Sequence, residues 1–153
     1  MRRLTEALYA IALTLWVGGL WVIGYLVAPV LFSSLADRQL AGMLAGKLFA
    51  LIGWVGLGCA AYLFVFMIAE RGVRVFRHAA FWVLLLMAGL TAVSLFGIQP
   101  LMAQLKVDAL PREVMESVFR DRFAAWHGIS SILYLLQSLL GLVLLLSARS
   151  SAR

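Results

Sequence analysis

The sequence R-D-R-F-A-A-W-H-G-I-S-S-I-L-Y-L-L-Q-S-L-L-G, at positions 120–141, carries a row of polar and small residues through a long apolar run. A helix turns by about 100° per residue, and on it these residues lie within roughly 40° of one line. They are Arg120, His127, Ser131, Tyr134, Ser138 and Gly141. In a bilayer, polar and small side chains that share one helix face normally point at another helix. The stretch therefore predicts a membrane helix that packs along this polar stripe.

The composition extends this interpretation to the whole chain. Of its 153 residues, 64% are hydrophobic and 13% are charged, and the mean hydropathy is +1.00. Four stretches without Asp, Glu, Lys or Arg cover residues 7–32, 48–69, 79–105 and 123–148. Each is longer than the ~20 residues with which a helix crosses the hydrocarbon core of a bilayer. Because apolar runs of this length satisfy their backbone in lipid as helices, the predicted class is an all-α integral membrane protein.

The expected architecture is an antiparallel up-down-up-down bundle of four transmembrane helices, forming a single domain over residues 1–153. Its spans are expected at residues 5–32, 41–69, 78–105 and 120–148. Before the fourth span, Pro111 suits the first turn of a helix. The residues after it place Val114, Met115, Val118 and Phe119 on one side and charges on the other. This pattern predicts a short interfacial helix.

Lysine and arginine in the short loops set the expected orientation. The sequence R-G-V-R-V-F-R at positions 71–77 is a compact basic loop, which favours the cytoplasmic side. Both termini are expected on that side too. The net charge of +6 comes from residues at helix ends, so it indicates membrane topology rather than nucleic-acid binding. The expected partners are the lipid bilayer and either a second copy of the chain or another membrane protein.

A row of small residues follows the second apolar run. Gly42, Gly46, Phe49, Gly53, Gly56 and Ala60 recur at steps of four and three, a 3.5-residue repeat. This repeat favours a close, left-handed helix crossing. Inside a helix, glycine is less stable than alanine by about 1 kcal/mol. Four glycines on one helix face therefore need a structural reason. We interpret Gly42, Gly46, Gly53 and Gly56, with Gly18 and Gly141 from other spans, as packing residues. A groove for a ligand is the alternative.

Ionisable and helix-breaking residues are concentrated in the outer half of the expected bundle. Such residues in a membrane tend to mark cavities or functional sites. The candidate site residues are therefore Pro29, Lys47, Gln99, Pro100, Arg120, Phe123, Trp126, His127 and Ser131.

His127 allows three interpretations. It could be structural, with its ring bonded to a carbonyl or a hydroxyl such as that of Ser131, or it could bind metal or haem, or it could relay protons. Met43 and Met102 are candidate soft ligands beside it, a set that would suit Cu(I). A bis-histidine haem is not expected, because His78 would lie at the opposite face of the membrane, roughly 30 Å away.

Signatures of enzymes are missing from the sequence. It has no glycine-rich phosphate loop, no H-E-x-x-H motif and no pair of acids within an apolar run. We therefore expect neither hydrolase nor kinase chemistry, and we expect no cofactor. The single cysteine, Cys59, has nothing to pair with in the chain.

Three sequence elements together resemble one known family. They are W-x-G-G…G-x-x-x-x-P-x-L-F at positions 16–32, A-G-x-x-x-G-x-L-F at positions 41–49 and F-x-x-W-H-G-I-S at positions 123–130. In combination they resemble the domain-of-unknown-function family that contains transmembrane protein 205. The resemblance implies a four-helix integral membrane protein of the bacterial inner membrane, and it implies no established activity. A more distant similarity to copper-resistance membrane proteins is weaker, because those proteins use several histidines.

Two functional hypotheses follow from these features. The first is a small-ligand-binding or transport-related bundle with its site in the outer half. The second is a structural or regulatory partner that binds another membrane protein through its glycine-rich helix face. A haem- or copper-handling protein is a further alternative.

Overall fold

A computed structural model of the protein describes residues 2–110 and 113–150, which form helices and short connections without a strand. The α-helices are α1 (Arg2–Val22), α2 (Ala28–Ser34), α3 (Arg38–Arg71), α4 (Ala79–Val93), α5 (Gln99–Asp108) and α6 (Arg120–Ser150).

These elements join into four long helices that are apolar enough to cross a membrane, as the sequence predicts. They cover Leu4–Ser34, Arg38–Arg77, Ala79–Asp108 and Arg120–Ser147, and we call them the first to fourth long helices. A helix pairs the backbone N–H and C=O groups within one segment, which hydrocarbon requires. The described structure is therefore compatible with a multi-pass membrane protein.

The first and third long helices each contain one π-turn, at Ile23–Val27 and Ser94–Ile98. Each π-turn ends two residues before a proline, Pro29 or Pro100. A proline has no N–H for the carbonyl four residues earlier, and wider turns are one way in which membrane helices adjust to this. The helix continues through Pro29 to Ser34.

The ends of α3 are defined by their caps. At its start, the Asp37 carboxylate accepts hydrogen bonds from the N–H groups of Gln39 and Leu40, at 2.8 and 3.0 Å. At its end, Gly72 has a φ of 53°, in the left-handed region that glycine adopts without strain. The chain then continues in a 3₁₀-helix, Gly72–Arg77, directly into α4.

The segment before the fourth long helix differs from the expected interfacial helix. Pro111 and Arg112, with which that helix was expected to begin, lie outside the described residues. Beyond them only a three-residue 3₁₀-helix forms, Val114–Glu116, and the regular helix begins at Arg120. The Ser117 hydroxyl donates to the Val114 carbonyl and accepts from the Phe119 N–H, at 2.8 and 3.1 Å. These local bonds compete with those of a continuous helix.

Each long helix packs against its neighbour in sequence, and the fourth also contacts the first. Contacts between the first and second long helices pair early residues of one with late residues of the other. The Tyr62 hydroxyl donates to the Thr5 carbonyl at 3.2 Å, and Trp16 contacts Gly56. The most deeply buried large side chains are Trp16, Leu63, Leu84, Met87 and Leu144.

The outer surface of the bundle is also apolar. Large side chains along the middle of the helices are more than half exposed, including Val65, Phe96, Ile132 and Leu139. A contiguous apolar exterior of this kind suits contact with lipid rather than with water.

The glycines expected to pack divide into two groups. At four of them an added Cβ would contact a side chain of another long helix: Gly42 faces Lys106, Gly53 faces Leu95, Gly56 faces Trp16 and Gly141 faces Val17. At Gly18 and Gly46 an added Cβ would have nothing within 4 Å. Close helix approach is therefore localised, and it does not follow the whole glycine row.

A Gly56→Ala substitution should destabilise the protein, because its Cβ would overlap the fully buried Trp16 indole. We expect a loss of about 1–3 kcal/mol in the free energy of unfolding, typical of overpacking. The measurement is the unfolding midpoint in mild detergent as sodium dodecyl sulfate is added.

Gly58→Ala is the matched control, since Gly58 lies on the same helix, is exposed and would place its Cβ in open space. It should leave stability unchanged or raise it by up to about 1 kcal/mol through helix propensity. Equal midpoints for the two variants would contradict the close contact at Gly56.

Candidate functional site

One lysine on the third long helix contacts the second and the fourth at the end of the bundle that carries Pro29 and Pro100, which we call the proline end. The Lys106 ammonium donates to the Gly42 carbonyl at 3.0 Å and lies 5.6 Å from the centroid of the Phe123 ring. The tip of the Phe32 ring lies 3.9 Å from the position that a Cβ on Gly42 would take. We call Phe32, Gly42, Lys106 and Phe123 the Lys106 cluster.

The sequence places the cation of this cluster near the end of one helix and its carbonyl acceptor near the start of another. Lys106 lies in the last turn of α5, where the partial negative charge of a helix C-terminus favours a cation. Its aliphatic stem is half-buried, as is usual for lysines at a membrane boundary. A Cβ on Gly42 would lie 3.5 Å from the ammonium nitrogen, an ordinary van der Waals distance, so the contact depends on the Gly42 carbonyl rather than on the lack of a side chain.

The positive charge of Lys106 is not neutralised within the described residues. Its recorded partners are a carbonyl oxygen and an aromatic ring, and no carboxylate pairs with it. An ammonium group has three N–H donors, and one is used here. A buried or half-buried charge is costly unless it is paired, so the site favours an anion. The ring of Phe123 adds a cation–π contact.

His127 extends the cluster along α6. Its imidazole stacks on the Phe123 ring, with centroids 6.0 Å apart and planes inclined by 7°. The Ser131 hydroxyl donates to the backbone carbonyl of His127 at 2.8 Å, rather than to the ring as the structural interpretation supposed. The His127 and Ser131 side chains are exposed, and neither nitrogen of the His127 ring has a hydrogen-bond partner among the described residues. The imidazole therefore forms part of an accessible aromatic surface.

One half of the polar stripe is buried against the first long helix. The Tyr25 hydroxyl donates to the Ser138 hydroxyl at 3.0 Å, and Ser138 in turn donates to the Tyr134 carbonyl at 2.9 Å. The Tyr134 hydroxyl donates to the Leu20 carbonyl at 2.5 Å, and its ring fills the space that Gly24 leaves open. This half behaves as predicted for polar groups that face another helix.

The other half of the stripe is open. Arg120, His127 and Ser131 are exposed, although they share the face of Tyr134 and Ser138. The first long helix does not cover them, so this part of the face is left for lipid or a ligand.

The remaining candidate residues lie apart from the cluster. Pro29, Lys47, Pro100 and Arg120 are exposed, and Gln99 and Trp126 are half-buried. In the described part of the chain, no hydrogen bond, ion pair or ring contact joins them to the Lys106 cluster. The structure thus brings together Gly42, Phe123 and His127 from the predicted set.

A metal site is not assembled from the usual ligands. Among the described residues, no group of three or more His, Cys, Asp or Glu side chains is placed to hold a metal ion. Met43 is exposed and Met102 is half-buried, and no recorded contact joins either of them to His127.

Sequence reasoning missed two features of the interior. Lys106 directly follows the third apolar run, so in the sequence it resembles an ordinary charge at the start of a loop. The Gln137 amide donates to the Thr91 hydroxyl at 2.6 Å, and Thr91 donates to the Met87 carbonyl at 2.8 Å. Gln137 and Thr91 are each 4% exposed. The position of the Gln137 amide inside an apolar run could have predicted this contact, since polar groups in a membrane need partners.

The fold and the site define a helical bundle of membrane type with a polar cluster at one end. A family model described as Domain of unknown function (DUF4149) matches residues 11–111, and the chain belongs to that family. No curated protein and no solved structure matches the chain. The matched region contains the first two elements of the resemblance and ends before the third, at positions 123–130.

A Tyr134→Phe substitution should weaken the contact between the first and fourth long helices, because it removes the hydrogen bond to the Leu20 carbonyl. We expect a loss of about 1 kcal/mol in the free energy of unfolding, measured in mild detergent.

Tyr62→Phe is the control, because the Tyr62 hydroxyl also donates to a carbonyl but does so at an exposed position. The free energy of unfolding of Tyr62→Phe should fall by no more than about 0.5 kcal/mol. A loss for Tyr62→Phe as large as that for Tyr134→Phe would contradict a special role of the buried bond.

Proposed function

We propose that the protein is a small-ligand-binding membrane bundle, whose Lys106 cluster binds the anionic headgroup of an amphiphile. One observation carries this proposal: a half-buried ammonium group between three long helices has aromatic and carbonyl partners but no counter-ion among the described residues. A carboxylate or phosphate would supply the missing charge.

The proposed topology is an antiparallel up-down-up-down bundle, with both termini and the loop at residues 71–77 in the cytoplasm. The reversed pairing of Thr5 with Tyr62 and of Phe32 with Gly42 supports opposite directions for the first two helices. The basic loop supports the orientation. The proline end then faces outward, and the family resemblance favours a bacterial inner membrane.

The chemistry of the cluster indicates which ligand it takes. It holds one cation and two aromatic rings, and the neighbouring Phe32 and Met43 side chains are about half exposed, at 49% and 47%. A single cation matches a singly charged headgroup, and exposed apolar side chains match an acyl chain. A long-chain carboxylate satisfies both conditions.

The other hypotheses have less support from the described contacts. A partner protein bound through the glycine face would have to share it with Leu95 and Trp16, which already occupy Gly53 and Gly56. A haem- or copper-handling role depends on His127 with Met43 or Met102, and no recorded contact brings these residues together.

Lys106→Met should reduce the binding of a fatty acid, since methionine keeps the apolar stem and removes the charge. The measurement is the electron paramagnetic resonance spectrum of spin-labelled stearate in phosphatidylcholine vesicles that contain the protein. We expect a fall in relative affinity of about tenfold, which corresponds to about 1.4 kcal/mol.

Two controls belong to this experiment. Spin-labelled methyl stearate is uncharged, so it should bind wild type and Lys106→Met alike. Arg38→Gln removes an exposed cation from the start of α3 and should leave stearate affinity unchanged. Wild-type stearate affinity in a folded Lys106→Met variant would refute the proposed function.

A further inference from the structure

A charged cleft lies at the opposite end of the bundle, where α3 passes into α4. It has a volume of about 410 Å³ and is lined by Glu70, Arg71, Arg74 and His78. Two guanidinium groups, one imidazole and one carboxylate therefore share one opening. Glu70 forms no ion pair with either arginine in the described structure, so both signs of charge remain available.

The backbone holds this cleft in a defined shape. Gly72, at a φ of 53°, turns the chain out of α3, and the 3₁₀-helix Gly72–Arg77 follows at once. Val75 anchors that segment in the core with 1% exposure. The Trp82 indole N–H donates to the Phe76 carbonyl at 2.9 Å and ties the segment to α4. Arg74 and His78 are thus carried by a short, fixed connection.

Apolar side chains point outward beside these charges. Val73 is 84% exposed and Phe76 is 54% exposed, and each is followed by an exposed arginine, Arg74 or Arg77. Alternating apolar and cationic groups of this kind are typical of a segment at the depth of lipid headgroups. The cleft therefore opens next to lipid, which selects a headgroup over a soluble ion as its occupant.

We propose that this cleft binds the headgroup of a lipid of the phosphatidylethanolamine type. The guanidinium groups of Arg71 and Arg74 donate to the phosphate oxygens, for which their planar geometry is well suited. The Glu70 carboxylate accepts hydrogen bonds from the primary ammonium group. A purely anionic headgroup would pair with the arginines and leave the Glu70 carboxylate without a partner, whereas a headgroup with both charges matches the lining. This site is independent of the Lys106 cluster.

The test compares lipids that share acyl chains and differ only in the headgroup. Spin-labelled phosphatidylethanolamine, phosphatidylcholine and phosphatidylglycerol are added in turn to vesicles that contain the full-length protein, and the motionally restricted fraction is measured. Wild type should retain phosphatidylethanolamine several-fold more than phosphatidylcholine, whose methylated ammonium cannot donate to Glu70. Equal retention of these two lipids by wild type would overturn the proposal.

The variants assign the two charges separately. Arg74→Gln, at an exposed position, should abolish the selective retention of phosphatidylethanolamine. Glu70→Gln should remove the preference for phosphatidylethanolamine over phosphatidylcholine and raise the retention of phosphatidylglycerol. Arg77→Gln is the matched control, because Arg77 belongs to the same 3₁₀-helix but does not line the cleft. An unchanged lipid preference in a folded Arg74→Gln variant would refute the assignment.

Two further experiments distinguish a bound lipid from its soluble headgroup, and the cleft from the Lys106 cluster. Water-soluble glycerophosphoethanolamine should displace the lipid only at a large molar excess, and displacement at equal concentrations would reject the lipid as the occupant. Lys106→Met should keep the wild-type preference for phosphatidylethanolamine over phosphatidylcholine, because these two lipids carry the same net charge and Lys106 lies at the proline end. A lost preference in that variant would contradict a separate headgroup site.

Discussion

The need to pair backbone N–H and C=O groups along apolar segments long enough to cross hydrocarbon is the constraint on which the rest of this structure depends. It makes each apolar run a long helix, and it explains how the chain accommodates two of its prolines. At Pro29 and Pro100 a π-turn precedes the proline, and the helix then continues. Polar side chains obey the same constraint, since Thr91, Ser138 and Ser147 donate to carbonyls of their own helix.

Glycine determines where large side chains can approach the backbone of another helix. Gly24 makes room for the Tyr134 ring, whose hydroxyl reaches the Leu20 carbonyl. Gly56 accepts the Trp16 indole, whose N–H has no partner among the described atoms. Each glycine admits a large side chain from another long helix. The bundle is therefore held by a few large residues in defined gaps as well as by apolar packing.

Periodicity and composition predicted the four helices, and the stripe on α6 predicted the buried contacts of Tyr134 and Ser138. The other half of the stripe is exposed because the first long helix does not cover it. The residues of one helix do not show how far a neighbouring helix extends over them. The Lys106 cluster joins residues far apart in sequence, so only the fold brings it together. Between residues 113 and 119 a continuous helix does not form, because the Ser117 hydroxyl bonds to the Val114 carbonyl and the Phe119 N–H, which the apolar periodicity of this segment does not reveal.

We propose that the Lys106 cluster and the charged cleft lie on opposite sides of one membrane. Single cysteines test it in a Cys59→Ala background, introduced as Val118→Cys or Val73→Cys at positions that are 92% and 84% exposed. A membrane-impermeant maleimide added to intact cells should label the cysteine at position 118 and label the one at position 73 only after permeabilisation. Labelling of both positions from the same side would contradict the account.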